Sequence, residues 1–118
     1  KNFSLSLINN YQNNGLKIKR IYYLHNIPKG SKRGGHAHIK LYQYIIAVSG
    51  DFDVKLFDGK KEKTVHLNRQ NVCLKIVPGI WREILNFSND SICLVLASEY
   101  YDELDYIRSK KLFQNRKC

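Results

Sequence analysis

Residues 33–43 read Arg-Gly-Gly-His-Ala-His-Ile-Lys-Leu-Tyr-Gln, with two histidines either side of one alanine. Side chains on a β-strand alternate with period two, so His36 and His38 point to the same face. Two adjacent imidazoles serve one of two chemistries. With further carboxylate or histidine ligands they hold a metal ion; without them, each is a base whose ordinary pKa lies near neutrality. The residues around the pair decide between these. Gly30 lies six positions before His36, Gln43 five after His38 and Gly50 seven after Gln43, and further on comes the stretch Pro78-Gly79-Ile80-Trp81-Arg82-Glu83-Ile84-Leu85-Asn86.

The spacing of Gly30, His36, His38, residue 43 and Gly50 is that of the first cupin motif, G-x5-H-x-H-x4-E-x6-G, with Gln43 where the metal-binding glutamate belongs. The second cupin motif places a third histidine ligand four residues before an asparagine, and here that position is Arg82. Both exchanges remove metal affinity. Glutamine is a weak neutral oxygen donor, and arginine is a permanent cation with no lone pair to offer. Two histidines alone are too few for a tight site. No metal and no other cofactor is expected, and the imidazoles are read as bare acid and base.

The elements that must carry them are short. Apolar runs recur about every ten residues: FSLSLI, LKIKRIYYL, YQYIIAV, DFDVKLF, KTVHL, VCLKIV, WREIL and SICLVLAS. Between them lie turn signals, of which Asp58-Gly59 is a hairpin signal because both residues tolerate positive φ. Eight such strands predict an all-β fold, an antiparallel sandwich or barrel of jelly-roll type, in one domain over residues 1–118, and the resemblance to the cupin motifs implies a cupin jelly roll (double-stranded β-helix barrel). Only YDELDYIRSKKLFQ has a helical look, and it predicts a short C-terminal helix over the barrel. His36 and His38 fall at the mouth of a strand after the Gly34-Gly35 turn. His25 and His66 have no such frame and read as surface residues.

Composition narrows the partners. The formal net charge is +10, which suits a polyanion, but the 14 lysines are dispersed and form no helical stripe, zinc-finger or helix-turn-helix pattern. Nucleic acid is therefore not expected, whereas a diphosphate is compatible. No run approaches the roughly 20 apolar residues of a membrane span, and no signal peptide is visible. Cys73, Cys93 and Cys118 lack paired spacing and read as reduced thiols of a cytoplasmic protein. Cys93 lies in a core run with nothing beside it in sequence to activate a thiolate. The chain opens on Lys1, and a few residues are expected to precede it.

Taken with IKRIYYL, RGGHAHIKLYQ and the long ending VPGIWREILNFSNDSICLVLASEYYDELDYIR, the sequence resembles the nucleotide-sugar 3,4-ketoisomerases. These are metal-free cupins that act on dTDP-4-keto-6-deoxyglucose in deoxyamino-sugar biosynthesis. The resemblance runs from about residue 4 to 113. It implies a homodimer, a dTDP-linked 4-keto-6-deoxy sugar as substrate and no cofactor. Two positions depart from the family pattern. Members often carry histidine after the tryptophan, where this chain has Arg82, and many close the early strand with a glutamate, where this chain has Asn9 or Asn10.

On IKRIYYL, Arg20 and Tyr22 share one face and Ile21 and Tyr23 the other. A barrel tyrosine is usually core packing, and the resemblance makes Tyr22 a proton donor. His36 is assigned as the base and His38 as its relay or orienting neighbour. Arg20, Arg33 and Arg82, whose guanidinium forks match phosphate and oxyanion geometry, together with Gln43, are the expected substrate-binding residues. Arg33 reads equally as a solvated loop charge, and Trp81 either stacks on a ring or packs. Two other readings share these residues: a cupin epimerase using the same enolate chemistry, and a non-catalytic sugar-binding cupin.

Overall fold

The structure, a computed structural model, describes residues 3–7 and 17–117. Its strands are β1 (Phe3–Leu7), β2 (Arg20–Leu24), β3 (Arg33–His38), β4 (Gln43–Ser49), β5 (Phe52–Phe57), β6 (Glu62–Leu67), β7 (Val72–Ile76), β8 (Trp81–Leu85), β9 (Ile92–Ala97) and β10 (Tyr106–Ile107). A 3-10 turn (Glu103–Asp105) precedes β10, and one helix, α1 (Lys110–Lys117), follows it. The strands form two five-stranded antiparallel sheets in the orders β1-β7-β4-β9-β2 and β10-β3-β8-β5-β6.

All eight apolar runs become strands, because period-two burial is a local property of the chain. In β5, for example, Phe52, Val54 and Leu56 face inward and are buried, and Asp53, Lys55 and Phe57 do not share that face. They meet Ile45, Leu74, Ile76, Ile84 and Val95 in one core between the sheets. The inward rows change character toward one end. Gln43 precedes Ile45 on β4, Arg82 precedes Ile84 on β8, and Arg20 and Tyr22 precede Leu24 on β2. Each sheet thus supplies polar groups to the same mouth of the barrel.

Two strands were not among the expected runs. The first is β3, the histidine strand itself, whose residues carry no apolar alternation. The sequence placed Gly34 and Gly35 in a turn; they lie inside β3, with φ of +86° and +71°, at a bulge opposite β8. A Cβ on Gly34 would stand 3.0 Å from the Arg82 carbonyl oxygen. Only glycine allows both that approach and that φ, and the bulge sets His36 opposite Arg82.

The second is β10, which corrects the expected helix. Helix α1 spans only Lys110–Lys117, and the preceding YDELDYI folds as the 3-10 turn and a two-residue strand. Asp102 Oδ1 accepts the Leu104 N–H at 3.1 Å and so caps the turn. Tyr106 and Ile107 then pair with His38 and Ala37. Ser109 Oγ accepts the Leu112 N–H at 3.2 Å, which starts the helix there. Phe113 anchors the helix, buried against Trp81 and Phe57 with ring centroids 5.8 and 5.9 Å apart.

Candidate active site

A cavity of about 450 Å³ opens at the polar mouth. Its walls include Arg20, Tyr22, Arg33, His36, Gln43 and Arg82, six of the seven residues expected from the sequence. The seventh, His38, stands behind the wall: it is fully buried, and its ring meets that of His36 edge-on at 4.7 Å. Asn9 and Asn10 lie outside the described residues. His25 and His66 are exposed and take no part. Trp81 packs on Phe113 and donates from Nε1 to Glu83 Oε2 at 3.0 Å, so the packing alternative holds for it.

Arg82 is the largest fully buried side chain and lies on the floor of the site. Its Nη1 donates to Gln43 Oε1, and its Nε and Nη2 donate to the Ile80 carbonyl at 3.3 and 3.0 Å. Among the described residues no carboxylate lies within ion-pair distance of it. Gln43, from the opposite sheet, donates from Nε2 to Tyr22 Oη at 3.2 Å. Burial pulls the Arg82 pKa down to about 10, so the guanidinium remains charged at neutral pH. Among the described residues no three His, Cys, Asp or Glu side chains converge as metal ligands would.

Burial and that buried cation together set the state of the imidazoles. Burial first, then Arg82, lowers the His36 pKa to about 4; the nearby Gly34 carbonyl opposes this without meeting hydrogen-bond geometry. Both His36 ring nitrogens are buried without a partner among the described residues. His38 is pushed in the same direction by burial, Arg82 and His36. The Asp105 carboxylate, 3.2 Å from His38 Nδ1, pulls the other way. Desolvation and the buried guanidinium outweigh that carboxylate, whose own side chain is only 10% exposed, and His38 stays neutral. Burial also raises the Tyr22 pKa, with Tyr106 adding to it and Arg20, the Gln43 N–H and Arg82 opposing. The site therefore holds neutral bases and a protonated phenol around one fully buried cation, Arg82.

Four contributors were not singled out in the sequence: Tyr101, Asp105, Tyr106 and Arg108. Tyr101, Tyr106 and Arg108 line the cavity. The Tyr106 ring packs on both histidines, at 4.9 Å from His36 and 4.4 Å from His38, and the Arg108 guanidinium lies over the same ring at 4.2 Å. Glu103 pairs with Arg108 at 2.6 and 2.8 Å and accepts from Tyr101 Oη at 2.6 Å, tying the rim together. Asp105 also accepts the Lys40 and Leu41 N–H groups at 2.8 and 3.3 Å, and so holds the loop after β3. The sequence signal for them was a period of two at Tyr106 and Arg108, masked by the helical look of the whole segment. On β2, Arg20 lies over Tyr22 and Tyr101 at 5.3 and 5.6 Å. Arg33 is half-buried and turns one nitrogen to the Lys32 carbonyl at 2.8 Å.

Known proteins share this arrangement's sequence and fold. The chain is 40% identical over 111 residues to the TDP-4-oxo-6-deoxy-alpha-D-glucose-3,4-oxoisomerase of Aneurinibacillus thermoaerophilus, covering 94% of this chain and 80% of that one. The sugar 3,4-ketoisomerase QdtA of Thermoanaerobacterium thermosaccharolyticum superposes with a TM-score of 0.91 at 34% identity, over 98% of this chain and 93% of its own. QdtA has been seen with TDP, and a variant with one histidine changed to asparagine has been seen with TDP-4-keto-6-deoxyglucose. The TDP-fucose-3,4-ketoisomerase WlaRA of Campylobacter jejuni superposes with a TM-score of 0.93 at 32% identity, over 100% and 97% of the two chains. The family model described as FdtA: WxcM-like, C-terminal matches residues 1–117, and the chain belongs to that family.

Proposed function

We propose that this chain is a 3,4-ketoisomerase of a TDP-linked 4-keto-6-deoxy sugar and works by proton transfer with no metal or other cofactor. The observation that carries the reading is the convergence of His36, Tyr22 and the buried Arg82 on one cavity, with Arg20 and Arg33 at its walls. The substrate class is that of the relatives, and the arginines suit its diphosphate.

The C3 hydrogen of a 4-ketone is acidic because the C4 carbonyl takes up the electron pair as an enolate. Neutral His36, at the cavity wall, removes that hydrogen; its electrons form the C3=C4 bond and O4 becomes an oxyanion. Arg82 and Arg20 stabilise the developing charge. The proton on O3 then passes to O4, C3 becomes the ketone, and C4 receives a proton from the Tyr22 hydroxyl. The histidinium finally returns its proton to the tyrosinate through solvent, which restores both groups. Substrate and product have the same composition, so no oxidant or reductant is needed. His38, behind His36, orients it or relays the proton.

The finer features of the reading are a homodimer and a cytoplasmic location. The outer face of the β1-β7-β4-β9-β2 sheet carries Tyr44, Ile46, Leu94 and Leu96 and continues onto Ile21 and Tyr23, which are 64% and 58% exposed on the edge strand β2. Exposed apolar groups on a strand that is an edge among the described residues favour a second copy. No helix among the described residues is long and apolar enough to cross a membrane.

Incubation with dTDP-4-keto-6-deoxyglucose in heavy water tests the proposal. Isomerisation puts deuterium at C4 and the ketone at C3. An unmoved ketone with an inverted, deuterated neighbouring carbon means an epimerase, and no exchange at all means a binding protein. In the isomerase, His36→Asn lowers turnover by ~10²–10⁴-fold, as loss of a general base does. Unchanged exchange in that variant would place the base elsewhere, with His38 and Tyr22 next in line.

A further inference from the structure

The buried Gln43 occupies the position of a metal-ligating glutamate in the motif, yet each end of its amide is engaged by another side chain. Its orientation is fixed by chemistry. Arg82 has only donors, so the end of Gln43 that meets it is Oε1, and the end that meets Tyr22 is Nε2. Flipping the amide would set N–H groups against the guanidinium and leave both without an acceptor. Nε2 can only donate, so the Tyr22 oxygen must accept. The single hydroxyl hydrogen of Tyr22 is thereby left for another acceptor, and Tyr22 lines the cavity.

We propose that Gln43 is a positioning residue: held by Arg82, its amide makes Tyr22 a proton donor toward the cavity and stabilises the tyrosinate left after the proton has gone. This deepens the isomerase reading and rests on it. Before transfer, the Gln43 N–H occupies an oxygen lone pair of Tyr22 and keeps the O–H turned away from the barrel floor. After transfer, the same N–H donates to a full negative charge, a stronger bond than the neutral one it replaces. The three-group chain links the two sheets, since Gln43 sits on β4, Arg82 on β8 and Tyr22 on β2. The Arg82 charge is thus linked to the Tyr22 oxygen through an amide and not through direct contact.

A carboxylate at position 43 would reverse the arrangement. It would pair with Arg82 as before, but toward Tyr22 it could only accept. The phenol hydrogen would turn inward, and the tyrosinate would face an anion. The step that delivers a proton to C4 should fail, while removal of the C3 proton by His36 should continue. The enzyme would then wash deuterium into C3 of the starting ketone without moving the carbonyl.

The test compares the parent, Gln43→Glu and Tyr22→Phe, all with excess chelator so that a carboxylate beside His36 and His38 recruits no metal. Deuterium entry at C3 and formation of the 3-ketone are followed in the same heavy-water reaction. For Gln43→Glu we expect product formation to fall 100-fold or more, with C3 exchange at the parent rate or faster, and Tyr22→Phe to show the same split. Thermal unfolding of each variant establishes that it is folded at the assay temperature. If exchange and product formation fall together in Gln43→Glu, or if neither changes, Gln43 does not act through the donor and the proposal is overturned. A parent protein that moves no ketone would instead refute the isomerase reading, a result visible before any variant is made.

Discussion

Lowering the pH from 7.5 to 5 asks the fold to keep two imidazoles neutral in a range where the unfolded chain protonates them. In the unfolded chain both histidines titrate near about 6.5. In the folded protein His36 is held down to about 4 and His38 is moved the same way, each first by burial and then by the Arg82 guanidinium. Between these values the unfolded state binds protons that the native state refuses, so stability falls as the pH drops below about 6.5 and rises as it climbs. The His36 contribution stops falling near pH 4, where the folded imidazole itself charges. At pH 5 the linkage relation gives a loss of about 2 kcal/mol from His36 alone. That figure is set almost wholly by the unfolded pKa, because the folded one already lies below 5. His38 adds up to about 2 kcal/mol more, reduced by its Asp105 contact, against a typical domain stability of about 5–15 kcal/mol.

Urea unfolding at the two pH values measures this directly, with the slope checked for constancy. The informative quantity is a difference between proteins. The parent should lose about 2 kcal/mol more than His36→Asn between pH 7.5 and 5, since every other titrating group is common to both. If the two lose the same amount, His36 is not held neutral by its surroundings. The account of the site, with burial first and Arg82 second as the source of the neutral base, would then be wrong.

The remaining expectations use simpler measurements. Exhaustive chelation should leave turnover unchanged, because Arg82 and Gln43 are hydrogen-bonded to one another at the positions where ligands would be needed; activity lost with zinc, iron or manganese and restored by it would refute this. Arg33→Ala should raise KM for the sugar nucleotide while kcat changes little, by loss of a charge-assisted contact worth about 1.5–3 kcal/mol. An unchanged KM would make Arg33 a solvated loop charge. Phe113→Ala should cost about 3–5 kcal/mol in urea unfolding, since the ring is 1% exposed between Trp81 and Phe57. A loss below 1 kcal/mol would mean that α1 does not close the barrel.

What the sequence determined by itself was local. Alternation along β5 or β9 fixes which side chains face the core, since the pleat turns successive residues to opposite faces whatever lies beyond. The same rule put His36 and His38 on one face, and the residue types at 43 and 82 spoke against a metal before any geometry was known. The tertiary structure decided what those residues do to one another. Gln43 and Arg82 are 39 positions apart on different sheets, and their hydrogen bond exists only because the sheets close on each other at that level. His38 shares a face with His36 yet stands behind the cavity wall, because β10 lies along β3 and brings Tyr106 against both rings. The segment that provides Tyr106 carries charges and aromatics that a helix would accept as readily as a strand. It is settled instead by contacts from far along the chain: the Asp105 carboxylate meets the backbone of Lys40 and Leu41, 65 and 64 residues away, and Tyr106 pairs with His38. Local periodicity carries no record of such partners, because backbone N–H groups look alike in any sequence and only the closed barrel determines which of them need an acceptor.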